Sequence, residues 1–194
     1  MKSTFTTTAI GLALLTIAAT AQAATDSSKA VASHSAPHPT SMCAKGDEVV
    51  FSCPLAGGKK VVSMCAASDV TRNAGRFYYA YGRDAAAPEL VYPGKDQGAG
   101  SFTRTHLGFA GNTGGYAYAF SNGGYKYIVY SISGERDLQD GGVIVQRESD
   151  AHAAKKMPCE SGKVIDTNKD DLIDATLKWK SDAVIEQHGL PATH

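Results

Sequence analysis

Histidines, cysteines and closely spaced carboxylates are the side chains in this sequence that could do chemistry. His106 closes an alternating run from Ser101 to His106, beside Arg104 and Thr105, where an imidazole could serve as a general base. A hydrolase built on it would also need a nucleophile. No Gly-x-Ser-x-Gly elbow is present, and four thiols that are all oxidised leave no cysteine nucleophile. Gly98-Ala99-Gly100 and Pro93-Gly94-Lys95 match only fragments of phosphate-loop patterns, and Asp170-Asp171 sits in a helix start rather than across a cleft. No catalytic residue and no cofactor follows from these patterns. The chain reads as non-enzymatic, with an envelope hydrolase using His106 as the alternative.

Metal chemistry has one partial signature. Asp166, Asn168 and Asp170 occupy the first three ligand positions of a calcium-binding helix-loop-helix pattern. The glycine that makes its tight turn is Asp171 here, and the bidentate closing Glu is Leu177. Losing both leaves an acidic loop before a helix. The expectation is no metal, with these three residues as weak candidates and a calcium-stabilised structural protein as a further alternative. Zinc would need cysteine spacing that is absent, since no Cys-x-x-Cys pair occurs.

The compartment follows from the first two dozen residues. Lys2 precedes an uncharged run from Ala9 to Ala19, and Ala21-Gln22-Ala23 fits a signal-peptidase site. That run is shorter than the roughly 18 apolar residues of a spanning helix. Residues 1–23 are therefore expected to be a signal peptide, with no membrane insertion after cleavage and a periplasmic or secreted destination. Removing Lys2 leaves 18 basic residues (19 − 1) against 19 acidic ones, which lacks the positive field that nucleic acid requires. Residues 24–41 are small, polar and proline-bearing, and read as a flexible linker. His34 and His38 within it have no fixed geometry.

In an oxidising compartment Cys43, Cys53, Cys65 and Cys159 most simply form two disulfides, with three pairings open. Cys53 and Cys65 flank a turn at Ala56-Gly57-Gly58-Lys59. An odd-numbered register across that hairpin favours Cys53 with Cys65, leaving Cys43 with Cys159.

The elements that must position these groups are short strands within one domain over residues 42–187. Strand-like runs are Glu48 to Cys53, Lys60 to Cys65, Arg76 to Tyr81, Glu89 to Tyr92, Ser101 to His106, Tyr116 to Ser121, Tyr125 to Ser131 and Val143 to Arg147. About eight strands predict a mainly β fold, an antiparallel sandwich or small barrel. Asp170 to Ile185 places Leu172, Ile173, Leu177, Val184 and Ile185 at helical intervals, which predicts a C-terminal helix with Trp179 near its middle.

Ser121-Asn122-Gly123-Gly124 predicts a hairpin turn centred on Asn122-Gly123, pairing Phe120 with Tyr125 and Tyr118 with Tyr127. One face then carries a ladder of Tyr116, Tyr118, Phe120, Tyr125 and Tyr127. Such a ladder is either core lining or a binding platform. With Ser133, Gly134 and Arg136 of the next loop, it makes up the candidate binding surface.

The order of these motifs resembles a family of small exported proteobacterial proteins. The resemblance rests on FSCPLAGGKKVVSMC, Arg76-Phe-Tyr-Tyr-Ala-Tyr-Gly, Glu89-Leu-Val-Tyr-Pro and Phe120-Ser-Asn-Gly-Gly-Tyr-Lys-Tyr. It implies an exported, disulfide-bonded β fold and carries no activity. A weaker similarity is to periplasmic lysozyme inhibitors, which insert a Ser-Gly-x-x-Tyr loop into the enzyme's cleft. Ser133-Gly134 lacks that Tyr, and Ser121-x-Gly123-x-Tyr125 has shifted spacing. The functional expectation is a non-enzymatic exported binding protein with a protein or glycan partner in the cell envelope. A cell-wall-acting enzyme such as a lysozyme is one such partner.

Overall fold

The computed structural model describes residues 40–67, 76–94 and 101–193. The expected signal peptide, the expected linker before Thr40, a turn that the Asn73-Ala74-Gly75 sequence predicts ahead of the Arg76 run, Lys95 and the Gly98-Ala99-Gly100 fragment lie outside the described residues.

Ten strands form two antiparallel sheets of five. The first contains β1 (Glu48–Pro54), β2 (Lys60–Ala66), β3 (Phe77–Arg83), β4 (Leu90–Tyr92) and β10 (Ile165–Asp166), in the order β10-β1-β2-β3-β4. The second runs in chain order through β5 (Thr103–Phe109), β6 (Thr113–Asn122), β7 (Tyr125–Ser133), β8 (Gln139–Arg147) and β9 (Asp150–Pro158). Two short helices follow, α1 (Asp170–Leu177) and α2 (Ala183–His188). The sheets form a sandwich and do not close into a barrel.

Apolar side chains fill three layers. Between the sheets, Phe51, Val62, Met64 and Tyr79 meet Tyr118, Phe120, Val129 and Val143. The outer face of the second sheet buries Ala117, Ile128, Tyr130 and Ile144 against Ile185 of α2. The outer face of the first sheet buries Val61, Cys65, Tyr78 and Ala80 under Met42. Coverage on both faces explains why β2 reads as a nearly unbroken apolar run instead of alternating. Its one polar side chain in the strand interior, Ser63, is satisfied by Ser52 Oγ at 2.8 Å and by the Met42 amide at 3.0 Å.

The expected disulfide pairing is overturned. The bonds are Cys43–Cys65 and Cys53–Cys159. The reason is register. Leu55 and Lys60 close a four-residue loop through Leu55 N–H to Lys60 O at 2.8 Å, so Cys53 lies opposite Val62, and a bulge between Val49 and Phe51 then sets Cys65 opposite Val49. At Cys53, an odd-numbered residue of β1 therefore faces an even-numbered one of β2. Cys53 points into the inter-sheet core and Cys65 to the outer face. Two disulfides are the chemistry of an oxidising, non-cytoplasmic environment. Among the described residues no helix is long and apolar enough to cross a membrane.

The β6–β7 turn also departs from expectation. It centres on Gly123 and Gly124, at φ 59° and 78°, with Asn122 paired to Tyr125. Two glycines meet the positive-φ demand of this turn with no Cβ penalty, which Asn122 could only partly do. The pairs are therefore Phe120 with Tyr127, Tyr118 with Val129 and Tyr116 with Ser131. A shift of two keeps every side chain on its predicted face.

The expected single helix breaks into two at Lys178 to Asp182. There the Arg104 amide bonds Lys180 O at 3.0 Å, and the Asp182 amide bonds Thr105 Oγ1 at 2.9 Å. The Asp182 carboxylate then caps α2 by accepting from the Val184 and Ile185 amides, both at 3.1 Å. It also pairs with Lys126 at 2.6 Å. Burial raises this carboxyl's pKa, but the Lys126 hydrogen bond and charge and the capping amides outweigh it and hold it below the usual range. Trp179 falls in the break. Its ring lies edge-on to Phe77 and stacks on Phe102.

Candidate functional site

The aromatic ladder of β6 and β7 faces the opposing sheet. Tyr118 and Phe120 are buried, Tyr116 and Tyr127 are half-buried, and Tyr125 at the hairpin tip is 38% exposed. Phe120 stacks on Tyr127 at 4.9 Å and on Tyr92 at 4.3 Å between ring centroids. The ladder is core lining, and Tyr125 is its most exposed member. Burial pushes the hydroxyls of Tyr79, Tyr116, Tyr118 and Tyr127 above their ordinary value, and at Tyr116 the Asp166 charge adds to the effect.

Asp166, the first of the calcium candidates, stands in β10 and bridges the sheets. One carboxylate oxygen accepts from the Tyr116 hydroxyl, and the other accepts from Ser131 Oγ at 2.7 Å. The next amide, Thr167 N–H, bonds Val50 O at 2.9 Å, so the segment runs as an edge strand and not as an ion-wrapping loop. Asn168 is exposed, and Asp170 lies in the first turn of α1 beside Asp171. Among the described residues no group of three or more His, Cys, Asp or Glu is placed to hold a metal ion.

Asp166→Ala would leave the Tyr116 and Ser131 hydroxyls without their acceptor at the sandwich rim. We expect a loss of about 1–3 kcal/mol in urea unfolding, because a desolvated donor without a partner is costly. Unchanged stability would show that the bridge contributes nothing net.

Arg104 and His106 share the face that carries Tyr116 and Tyr118. The Arg104 guanidinium lies 5.1 Å from the Tyr116 ring centre and 5.9 Å from that of Tyr118, and its Nε is buried without a hydrogen-bond partner. His106 is exposed, and among the described residues no carboxylate bonds its ring. The orienting partner that a His-based acid–base device requires is not formed.

The remaining candidates, Ser133, Gly134 and Arg136, gather at one end of the sandwich. The β7–β8 loop closes through Leu138 N–H to Glu135 O at 3.2 Å and Gly134 N–H to Leu138 O at 3.1 Å. Its two central residues, Arg136 and Asp137, both take left-handed conformations, with φ of 56° and 57°. A mirror-image turn of this kind ordinarily uses Gly, Asn or Asp, so Asp137 fits its position, whereas a left-handed Arg136 costs roughly 1–2 kcal/mol. The adjacent β5–β6 turn holds Asn112 at φ 53°, and the Asn112 amide donates to Glu135 Oε1 at 2.9 Å, which ties the two loops together. Gly134 packs so closely on Thr113 that an added Cβ would come within 2.5 Å of Thr113 Oγ1.

Strand direction puts further turns at this same end. The Leu55–Cys159 bridge joins the end of β9 to the end of β1, so the β1–β2 and β3–β4 turns lie there too. Ala85 in the β3–β4 turn has φ 56°. Every non-glycine residue with positive φ among the described residues thus sits at one end of the sandwich. Phe109, 52% exposed, and Leu138, 46% exposed, project from it.

Sequence reasoning found Ser133, Gly134 and Arg136 but missed Phe109, Asn112 and Leu138. The Phe109-Ala110-Gly111-Asn112 stretch could have marked an apolar residue abutting a turn. No local pattern announces a left-handed Arg136-Asp137. Comparison of the chain with protein-family models, with curated proteins and with solved structures finds no match in any of the three.

Proposed function

We propose that this is an exported, non-enzymatic binding protein of the periplasm or extracellular space. In this reading it holds a protein partner of the cell envelope with the Phe109–Leu138 end of its sandwich, and a cell-wall-acting enzyme such as a lysozyme is the target class. The observation that carries the reading is the concentration of backbone strain and exposed apolar side chains on two cross-linked loops. Strain that the surrounding structure over-determines is a mark of functional sites. A loop already fixed in its bound shape loses little entropy on docking. The exported location is supported by the two disulfides and by the ordered charge, apolar and small-residue regions of the first 23 residues.

Phe109 and Leu138 are 52% and 46% exposed, so burying the remaining half of each would contribute roughly 0.7–1.5 kcal/mol. Phe109→Asp/Leu138→Asp should therefore weaken partner binding at least about tenfold while leaving the thermal midpoint unchanged, since both side chains reach solvent in the free protein. The inhibitor form of the reading is tested by titrating the mature protein into lysozymes of several types while following cell-wall lysis. Inhibition of one type, lost in the double variant, is the expected result. Unchanged lysis by every type removes lysozyme as the target.

A further inference from the structure

We propose that a groove beside this loop end is a binding site for a small anionic ligand bearing a carboxylate or phosphate group. The groove has a volume of about 520 Å³, within the range of small-molecule sites. It is lined by Lys59 and Lys60 of the β1–β2 hairpin, Arg83 at the end of β3, and Lys163 in the turn after Cys159. Four cations from three separate stretches of chain converge on one cavity, against two carboxylates, Asp84 and Glu160, in its lining. In a chain whose formal net charge is zero, that lining gathers more cations than carboxylates, and the excess falls on the Lys59 and Lys163 side.

The cations are held at fixed spacing by the backbone beneath them. Ala56 N–H bonds Pro158 O at 2.8 Å, Glu160 N–H bonds Pro54 O at 2.8 Å, and Asp84 N–H bonds Lys59 O at 3.1 Å. The Cys53–Cys159 disulfide locks the same junction covalently. Glu89 pairs with Lys60 and lies 3.8 Å from Arg83 Nε, which partly neutralises that side of the groove. Lys59 and Lys163 carry no ion pair among the described residues and are exposed, so an anion entering from solvent meets them without breaking an existing contact. A lysine head is a compact, freely rotating donor that suits a tetrahedral phosphate or a carboxylate equally. The groove therefore specifies charge and size before it specifies the acid.

The test is an amide-resolved NMR titration of the full mature chain, with sodium phosphate in one arm and sodium glucuronate in the other at constant ionic strength. Saturable shifts confined to residues 58–61, 83–84 and 160–163 are expected, and the arm with the lower Kd identifies the acid. Lys59→Gln/Lys163→Gln should raise that Kd at least tenfold with no change in thermal midpoint, because both side chains are solvated. Phe109→Asp/Leu138→Asp should leave it within about twofold, which distinguishes this groove from the apolar Phe109–Leu138 surface at the same end. Shifts that drift without saturation along the whole chain, or an unaltered Kd in the lysine variant, would overturn the proposal.

Discussion

Removing the Cys53–Cys159 disulfide by a Cys53→Ala/Cys159→Ala substitution is expected to lower stability by about 5 kcal/mol, and removing Cys43–Cys65 by about 3 kcal/mol. The difference comes from loop length. The first bond spans 106 residues and the second 22, and the unfolded-chain entropy removed grows with the logarithm of the closed loop. Position reinforces the ranking. Cys53 is fully buried in the inter-sheet core, and its partner sits where β9 of one sheet meets β1 of the other. Cys43 staples a surface segment over the outer face of a single sheet. Urea unfolding of the two double-alanine variants under non-reducing conditions measures both losses. A larger loss from Cys43→Ala/Cys65→Ala would show that the outer staple, and not the junction between sheets, holds the fold.

Phe120→Ala is expected to cost about 3–5 kcal/mol, more than the loss at Asp166, because a buried aromatic leaves both its transfer energy and a cavity. Phe120 is 4% exposed and touches four other rings, with centroids of Tyr92, Tyr127, Tyr79 and Phe102 between 4.3 and 5.5 Å away. Those neighbours come from both sheets and from the segment before β5, so none can relax into the space without moving an element. Tyr125→Ala, at the other end of the same predicted ladder, is half-solvated and should fall within about 0.5 kcal/mol of the parent. Equal effects at the two positions would mean that the ladder is not the core of the sandwich.

The contrast between Phe120 and Tyr125 also marks what the amino-acid order discloses. Alternation in 116–131 identifies one aromatic face, and the Gly123-Gly124 pair keeps that face intact although the turn centre moves by one residue. The same reasoning fails at Cys53, where loop length and not side-chain pattern sets the parity of the register, and a bulge between Val49 and Phe51 changes that parity again before Cys65. β9 goes unseen because Asp150 to Pro158 is rich in alanine and lysine, which have little strand preference. It is held by its ladder to β8. The helix break at Lys178 to Asp182 is equally silent in periodicity. It is made by backbone hydrogen bonds to Arg104 and Thr105, roughly eighty positions earlier in the chain. Asp166 was legible as a chemical residue but not as a bridge, since its partners Tyr116 and Ser131 are tertiary neighbours. Ser133, Gly134 and Arg136 of the strained loop end were legible as a polar turn, but its backbone conformation was not, because a left-handed Arg136 contradicts the local preference of its own side chain.

Partner binding by the loop end is tested by affinity capture from envelope extract on three immobilised proteins: the parent, Phe109→Asp/Leu138→Asp, and Tyr125→Ala. A discrete component should be retained by the parent and by Tyr125→Ala, and released from the loop-end variant. Retention of the same component by all three would refute the loop-end assignment and move the binding surface elsewhere on the sandwich.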